Sequence, residues 1–253
     1  MDKRAVKAAV LVIGDEILSG RTQDVNIGQI AQFLAPLGIT LGEARVVSDD
    51  TGAIVEAVRA LSARWDYVFT TGGIGPTHDD ITADAVAAAF NRPIDVREDA
   101  RAILVERYGV SGVELTPARL RMARIPDGAS LIANPVTGAP GFQIENVFVL
   151  AGVPKICRGM LEDVAHRLEG GAVTHTVSVR IENVREGDLA ERLGQIAQDY
   201  PDCSIGSYPW FEELPGGGLK RGVELVARGR DAAGLVEVKA RLERLRAQLE
   251  APS

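Results

Sequence analysis

Cysteine is nearly missing from this sequence. Cys157 and Cys203 are the only two in 253 residues, far apart and without metal-type spacing, which excludes a disulfide framework or a structural zinc site. Both thiols are expected to be buried or inert. Basic residues are outnumbered, 28 Lys and Arg against 35 Asp and Glu for a net charge of -7. That balance argues against a nucleic-acid surface, whose phosphates require cations. No apolar run approaches the roughly 20 residues a helix needs to cross a bilayer. The basic start, Met1 to Lys7, precedes apolar residues, but Gly14, Asp15 and Glu16 interrupt them, so no secretion signal follows. A soluble, cytoplasmic protein touching neither membrane nor nucleic acid is expected. What is present, 46% apolar and 25% charged residues, suits a folded, enzyme-sized body.

Residues 8–13 (AAVLVI) form a continuous apolar run ending at Gly14, the pattern of a strand buried on both faces of a parallel sheet. Ile27, Ile30, Ala31, Leu34 and Leu37 then recur at helical spacing, with Gly38 placed to end that helix. The unit repeats: a strand over 39–47, Ser48, Asp49 and Asp50, then a helix with Ile54, Ala57, Val58 and Leu61 inward. It repeats again from the strand Tyr67 to Thr71, through GGIGPTHDD, into an alanine-rich helix over 82–90. Three β/α units predict a doubly wound, mostly parallel sheet. Further helices are expected near 98–108 and from Thr116 with Pro117 in its first turn. Two or three strands over 129–150 and a helix from Pro154 to about Leu168 complete a domain over 1–169. Beyond Gly170 and Gly171, residues 172–253 read as a small α+β domain of β-α-β-β-α order. Val173, His175, Val177, Val179 and Ile181 alternate in its first strand. Its helices present Leu189, Leu193, Ile196 and Tyr200, then Leu235, Val238, Leu242 and Leu245, inward, and PGGG at 215–218 is its hairpin loop.

The densest chemical signal is TTGGIGPTHDDIT, residues 70–82, where a strand should hand over to a helix. Glycines let backbone N–H groups approach a phosphate, and ligands in open α/β sheets bind beyond the strand C-termini. Gly72, Gly73, Gly75, Pro76, Thr77 and His78 are the candidate cradle. Asp79 and Asp80 would repel an anion unless a divalent cation stood between them, so magnesium, manganese or cobalt is implied. The plainer reading is a tight turn with Thr77 or Asp79 capping the next helix. His78 fits phosphate contact and an exposed turn equally. GDEILSG (14–20) and SDD (48–50) should emerge at the same edge, bringing Gly14, Asp15, Glu16 and Asp49 toward one cleft, although Asp49 and Asp50 also suit helix caps. NPVTGAPGF (134–142) is either a ligand-facing loop or a hairpin connection. Walker A and GxGxxG patterns are absent, as are a GxSxG elbow and any Ser-His-Asp order. His166 and His175 read as structural or surface residues, and Trp210 and Phe211 as packing residues.

In this order, GDEILSG, GGIGPTHDD, NPVTGAPGF and AGVPK resemble the molybdopterin-binding (MoaB/MogA-like) superfamily over residues 8 to about 168. The likeness is closer to the N-terminal domain of the competence/damage-inducible protein CinA. GSYPWFE (206–212) resembles the molybdopterin-binding-like domain of FAD synthases. Neither the FAD synthase catalytic domain nor the CinA deamidase domain is seen, so deamidation is not expected. The resemblance implies a divalent-metal-dependent nucleotide pyrophosphatase acting on ADP-ribose or FAD. The alternatives are molybdopterin binding and adenylylation, or a non-catalytic nucleotide- or pterin-binding module. It adds Asn26, Asn134, Gly138, Pro140, Gly141 and Pro154 to the ligand-binding candidates. Asp49, Asp79 and Asp80 become the candidate metal ligands, with the base open between Asp79 and Asp80. His78 stands where many CinA-like sequences carry lysine and the FAD synthase type carries histidine, which tilts the substrate toward FAD-like dinucleotides. A homo-oligomer is expected, with the small domain or the helices near 98–123 as candidate interface.

Overall fold

A computed structural model describes residues 4–215 and 217–250. Met1 to Lys3 of the basic start, Gly216 of the hairpin loop and the last three residues of the small domain lie outside them. The chain divides into two compact units, residues up to Ala172 and residues from Val173.

In the first unit the elements run β1 (Val6–Ile13), α1 (Asp15–Leu18), α2 (Asn26–Leu34), β2 (Ile39–Val47), α3 (Thr51–Arg64), β3 (Tyr67–Thr71) and α4 (Thr82–Ala89). They continue through β4 (Ile94–Val96), α5 (Glu98–Ser111), α6 (Pro117–Leu120), β5 (Arg124–Pro126), β6 (Ser130–Ile132), β7 (Gly141–Ile144), β8 (Val147–Leu150) and α7 (Pro154–Val164). Six strands form one sheet in the order β2-β1-β3-β8-β7-β6. The first four are mutually parallel, β7 runs antiparallel to β8, and β6 antiparallel to β7. The expected mostly parallel architecture is the observed one.

Strand β1 explains the layering. Its side chains alternate between faces, and both faces are covered. Ala9, Leu11 and Ile13 pack with Ile54, Val58 and Leu61 of α3, Val86 of α4 and Leu104 of α5. Ala8, Val10 and Val12 pack with Ile30 and Leu34 of α2 and Met160, Leu161 and Val164 of α7. Phe69 and Phe148 stack in that second layer with ring centroids 5.1 Å apart. Each such aliphatic side chain contributes about 1.5–3 kcal/mol on burial, so the continuous apolar run of β1 holds both layers.

Local signals set the element ends. The Asp50 carboxylate accepts from Ala53 N at 2.8 Å and caps α3, which is the capping role expected of it. Helix α2 tightens into a 3₁₀ turn over Ala35–Leu37 and stops at Gly38. Thr116 caps α6 through Arg119 N. Part of GDEILSG is the short helix α1 rather than loop throughout. The ribbon of β4 and β5 had no clear signal, being three residues long on each side.

The edge of the sheet where the parallel strands begin is densely satisfied. Asn146 donates to the carbonyls of Ser62 and Trp65 and accepts from the Ser62 hydroxyl. Asp66 accepts from Lys7 N, and Trp65 Nε1 donates to Glu43. Arg45, that indole and Arg64 hold the Glu43 carboxyl below its ordinary range.

The second unit contains β9 (His175–Glu182), α8 (Glu186–Asp199), β10 (Ser204–Glu213), β11 (Leu219–Gly229) and α9 (Ala232–Glu250). Its antiparallel sheet has the order β10-β11-β9. Leu189, Leu193 and Ile196 of α8 pack with Leu235, Val238, Leu242 and Leu245 of α9 against Val179, Ile181, Val223 and Leu225. Val173 and His175 depart from the expected alternation: both are exposed, and Val173 precedes the strand. Tyr200 lies just past the end of α8, half-buried. Phe211, read as a packing residue, is 67% exposed. Trp210 lies over Gly222, where any Cβ would meet its ring, and Arg180 stacks on it at 4.3 Å.

Cys157 is fully buried on α7, and burial, then the charge of Asp24, pushes its thiol up to about 12. Burial also raises the Cys203 thiol. A thiolate is needed for reaction. At pH 8 the folded protein should therefore yield less than one thiol per chain to a disulfide reagent, Cys203 first, with Cys157 reacting only on unfolding. Rapid labelling of both would contradict this packing.

Candidate ligand site at the glycine loop

The site begins where β1 and β3 end side by side. At Gly72 and Gly73, φ is +103° and +66°, backbone that side chains rarely adopt. Space forbids a side chain as well. A Cβ on Gly72 would lie 2.1 Å from the Ile13 carbonyl oxygen, and one on Gly73 would lie 2.1 Å from Thr82 Oγ1. Thr82, fully buried, closes the loop mouth: its hydroxyl donates to Gly72 O at 2.9 Å and its N–H to Gly73 O at 3.0 Å. The inner turn is closed by Asp80, whose carboxylate accepts from Thr77 N at 2.8 Å and from the Thr77 hydroxyl. Neither Thr77 nor Asp79 caps α4, which correct the plainer sequence reading. The N–H groups of Gly73, Ile74 and Gly75 meet no acceptor among the described residues.

Three loops converge here. Asp49, at the end of β2, accepts from Asp15 N at 2.9 Å. Its carboxyl is raised above the ordinary value, first by burial and then by the charges of Asp15, Glu16 and Asp79. Asp79 is 64% exposed and 3.9 Å from His78 Nδ1. Its carboxyl is lowered by the Thr77 side chain, by its own N–H and by His78. The Thr77 hydroxyl has a single proton, however, and its hydrogen bond goes to Asp80. Among the described residues no three His, Cys, Asp or Glu side chains stand close enough to hold an ion alone. Asp49, Asp79 and Asp80 are thus not a ready-made cage. Exposed carboxylates in ones and twos suit a magnesium-type ion, which keeps waters and shares its ligands with substrate phosphates.

Two recesses flank the Gly72 crest. The larger, about 70 Å³, is lined by Glu16, Asp24, Asn26, Thr71, Gly72 and Pro154. Asn26 is buried and donates to Gly152 O at 2.7 Å, and Thr71 Oγ1, also buried, has no partner. The smaller, about 20 Å³, lies between Gly73, Gly75, Asp80, Arg121, Arg124 and Pro140. Pro76 and His78 are exposed on the loop, and Gly14 is buried beneath Glu16.

The loop over 134–140 behaves differently from its expected ligand-facing role. Asn134 spends its side chain inside the loop, donating to Thr137 Oγ1 and Ala139 O and accepting from Val136 N and Thr137 N. It shapes the loop. Gly138 sits against the Arg107 side chain, and Gly141 is buried in β7 against the Val149 carbonyl. Of this motif, Pro140 and Phe142 reach the smaller recess. Sequence reasoning missed Thr71, Thr22, Asp24, Arg121 and Arg124. Thr71 and Asp24 adjoin recognised motifs, whereas Arg121 comes from some forty residues away and carries no local signal. His166 and His175 are surface residues.

Residues 9–170 match the family described as a probable molybdopterin binding domain, and residues 173–251 match the FAD synthase middle domain. The chain belongs to the molybdopterin-binding-domain family and carries a FAD synthase middle-domain module. A protein of Archaeoglobus fulgidus is 35% identical over 79% of this chain and 84% of its own length. A CinA-like protein of Geobacter metallireducens is 34% identical over 91% of this chain and 56% of its own, so the chain spans about half of that relative. The crystal structure of the protein CinA with unknown function from Thermoplasma acidophilum is 37% identical. It covers 64% of this chain and 98% of its own with a TM-score of 0.60. Among the described residues no helix is long and apolar enough to cross a membrane.

Two tests follow from this geometry. Gly73→Ala should cost about 2–4 kcal/mol in denaturant unfolding, from strain and collision with Thr82. By contrast Gly28→Ala, in α2 with open space around it, should gain up to about 1 kcal/mol. Equal effects would refute the packing described. A raised Asp49 pKa means its ionised form opposes folding, so stability falls as pH rises through the carboxylate range. Asp49→Asn should therefore be more stable than wild type at pH 7, with the gap closing below about pH 4. An Asn variant less stable at pH 7 would reverse this assignment.

Proposed function

We propose that the chain is a divalent-metal-dependent nucleotide pyrophosphatase acting on FAD, ADP-ribose or a related adenylated compound. The observation that carries this reading is the gathering of Asp15, Glu16, Asp49 and Asp79 beside a glycine loop whose N–H groups point at no protein acceptor. Phosphate oxygens satisfy such N–H groups. Asp49 and Asp79 would hold the cation, with water and substrate phosphates completing its shell. When bound, it polarises a phosphoryl oxygen and lowers the pKa of a coordinated water. Asp80 holds the loop closed through Thr77, which leaves it a smaller share of the chemistry. The larger recess, with Asn26 and the unpaired Thr71 hydroxyl, offers hydrogen bonds to a nucleoside.

Family membership supports a second reading, binding and adenylylation of molybdopterin. It uses the same amides and carboxylates but releases no AMP from a dinucleotide.

The deciding experiment is AMP release from FAD, ADP-ribose and NADH with magnesium, manganese or cobalt. Turnover should require metal, and Asp79→Ala and Asp49→Asn should each lower kcat by about 10²-fold or more. Asp80→Asn, which keeps an acceptor for Thr77, should lose less. Ligand binding without turnover under every metal would sink the hydrolase reading and favour the second.

A further inference from the structure

Arg121 occupies a position that the carboxylate chemistry leaves unexplained. It follows α6 in a 3₁₀ turn over Arg121–Ala123 and reaches the smaller recess, beside Gly73 and Gly75. The side chain is half-buried, and its Nε–H is fully covered with no hydrogen-bond partner. Nη2 reaches the Asp80 carbonyl at 3.4 Å, a long and weak contact. A covered guanidinium donor without an acceptor is costly, and native structures rarely keep one without a use.

The neighbouring charges are already committed. Arg124 pairs with Asp84 across the recess. The Asp80 carboxylate is turned onto Thr77. Arg121 makes no ion pair among the described residues and is the cation with spare donors beside the amides of Gly73, Ile74 and Gly75. The recess, about 20 Å³ and partly open to solvent, has room for a water-sized, oxygen-bearing group. A guanidinium is suited to phosphate oxygens by its planar fork of donors.

We propose that Arg121 binds an anionic phosphoryl oxygen of the ligand in this recess, beside Gly73 and Gly75 and apart from the larger recess lined by Thr71 and Gly72. This rests on the phosphate-ligand reading of the site, and it holds whether or not the ligand is hydrolysed. Arg121 is a binding and positioning residue: it anchors the phosphate while Asp49 and Asp79 serve the cation.

The test measures binding rather than turnover. Calorimetric affinities for AMP, ADP-ribose and adenosine are compared among wild type, Arg121→Gln and Arg121→Lys in the absence of metal. Adenosine differs from AMP only by the phosphate. Arg121→Gln should weaken AMP and ADP-ribose about 10- to 100-fold, the range for a hydrogen bond to a charged group, and leave adenosine unchanged. Arg121→Lys should recover part of the loss, and the Gln variant should melt no lower than wild type, because the native donor has no partner to lose. Unchanged AMP affinity, equal weakening of AMP and adenosine, or a wild type that binds neither phosphate compound would each overturn the assignment. If AMP binding depends on Arg121 while no dinucleotide is cleaved, the pyrophosphatase reading fails and this one stands.

Discussion

The Thr82 bridge to Gly72 and Gly73 is the constraint on which the site depends. It ties the first residue of α4 to the first two residues of the loop, so the loop leaves β3 and returns within ten residues. The path uses two consecutive positive-φ glycines, where a Cβ would strike the Ile13 carbonyl or Thr82. Once the mouth is stapled, the amides of Gly73 to Gly75 cannot turn back onto the protein, and the loop edge is left rich in donors. The carboxylates of the β1 and β2 loops stand against that edge because their strands are parallel neighbours of β3.

Charge is therefore divided across a short distance. Asp15, Glu16, Asp49 and Asp79 gather on one flank of the loop, where burial raises the Asp49 carboxyl, and on the other Arg121 and Arg124 stand with Asp80 and Asp84. A ligand with one anionic end and one metal-bound phosphate would meet opposite demands at its two sides.

The layered sheet was legible because β1 is a continuous apolar run ending at a glycine, the strand-loop-helix unit recurs twice after it, and the helices between repeat at 3.6. The glycine loop was legible because its residue types are forced by backbone geometry. Side-chain partnerships were not. Nothing local distinguishes Asn134, which folds its own loop, from Asn26, which faces a recess; both are buried polar residues in recognisable motifs. Arg121 escaped because its approach to Gly75 is made by the ribbon of β4 and β5, two three-residue strands below the length at which periodicity can be read. The exposed Phe211 and His175 show the same limit: alternation on a strand names two faces but not which one is covered.

The two ends of the sheet differ in how completely their polar groups are used. At the starting edge, Asn146, Asp66 and Glu43 occupy nearly every available donor, while at the opposite edge Thr70, Thr71 and Arg121 keep covered atoms without partners. The saturated end works as a foundation that tolerates little alteration. The end beyond the strand C-termini instead keeps covered donors and acceptors that only a group from outside the chain can satisfy.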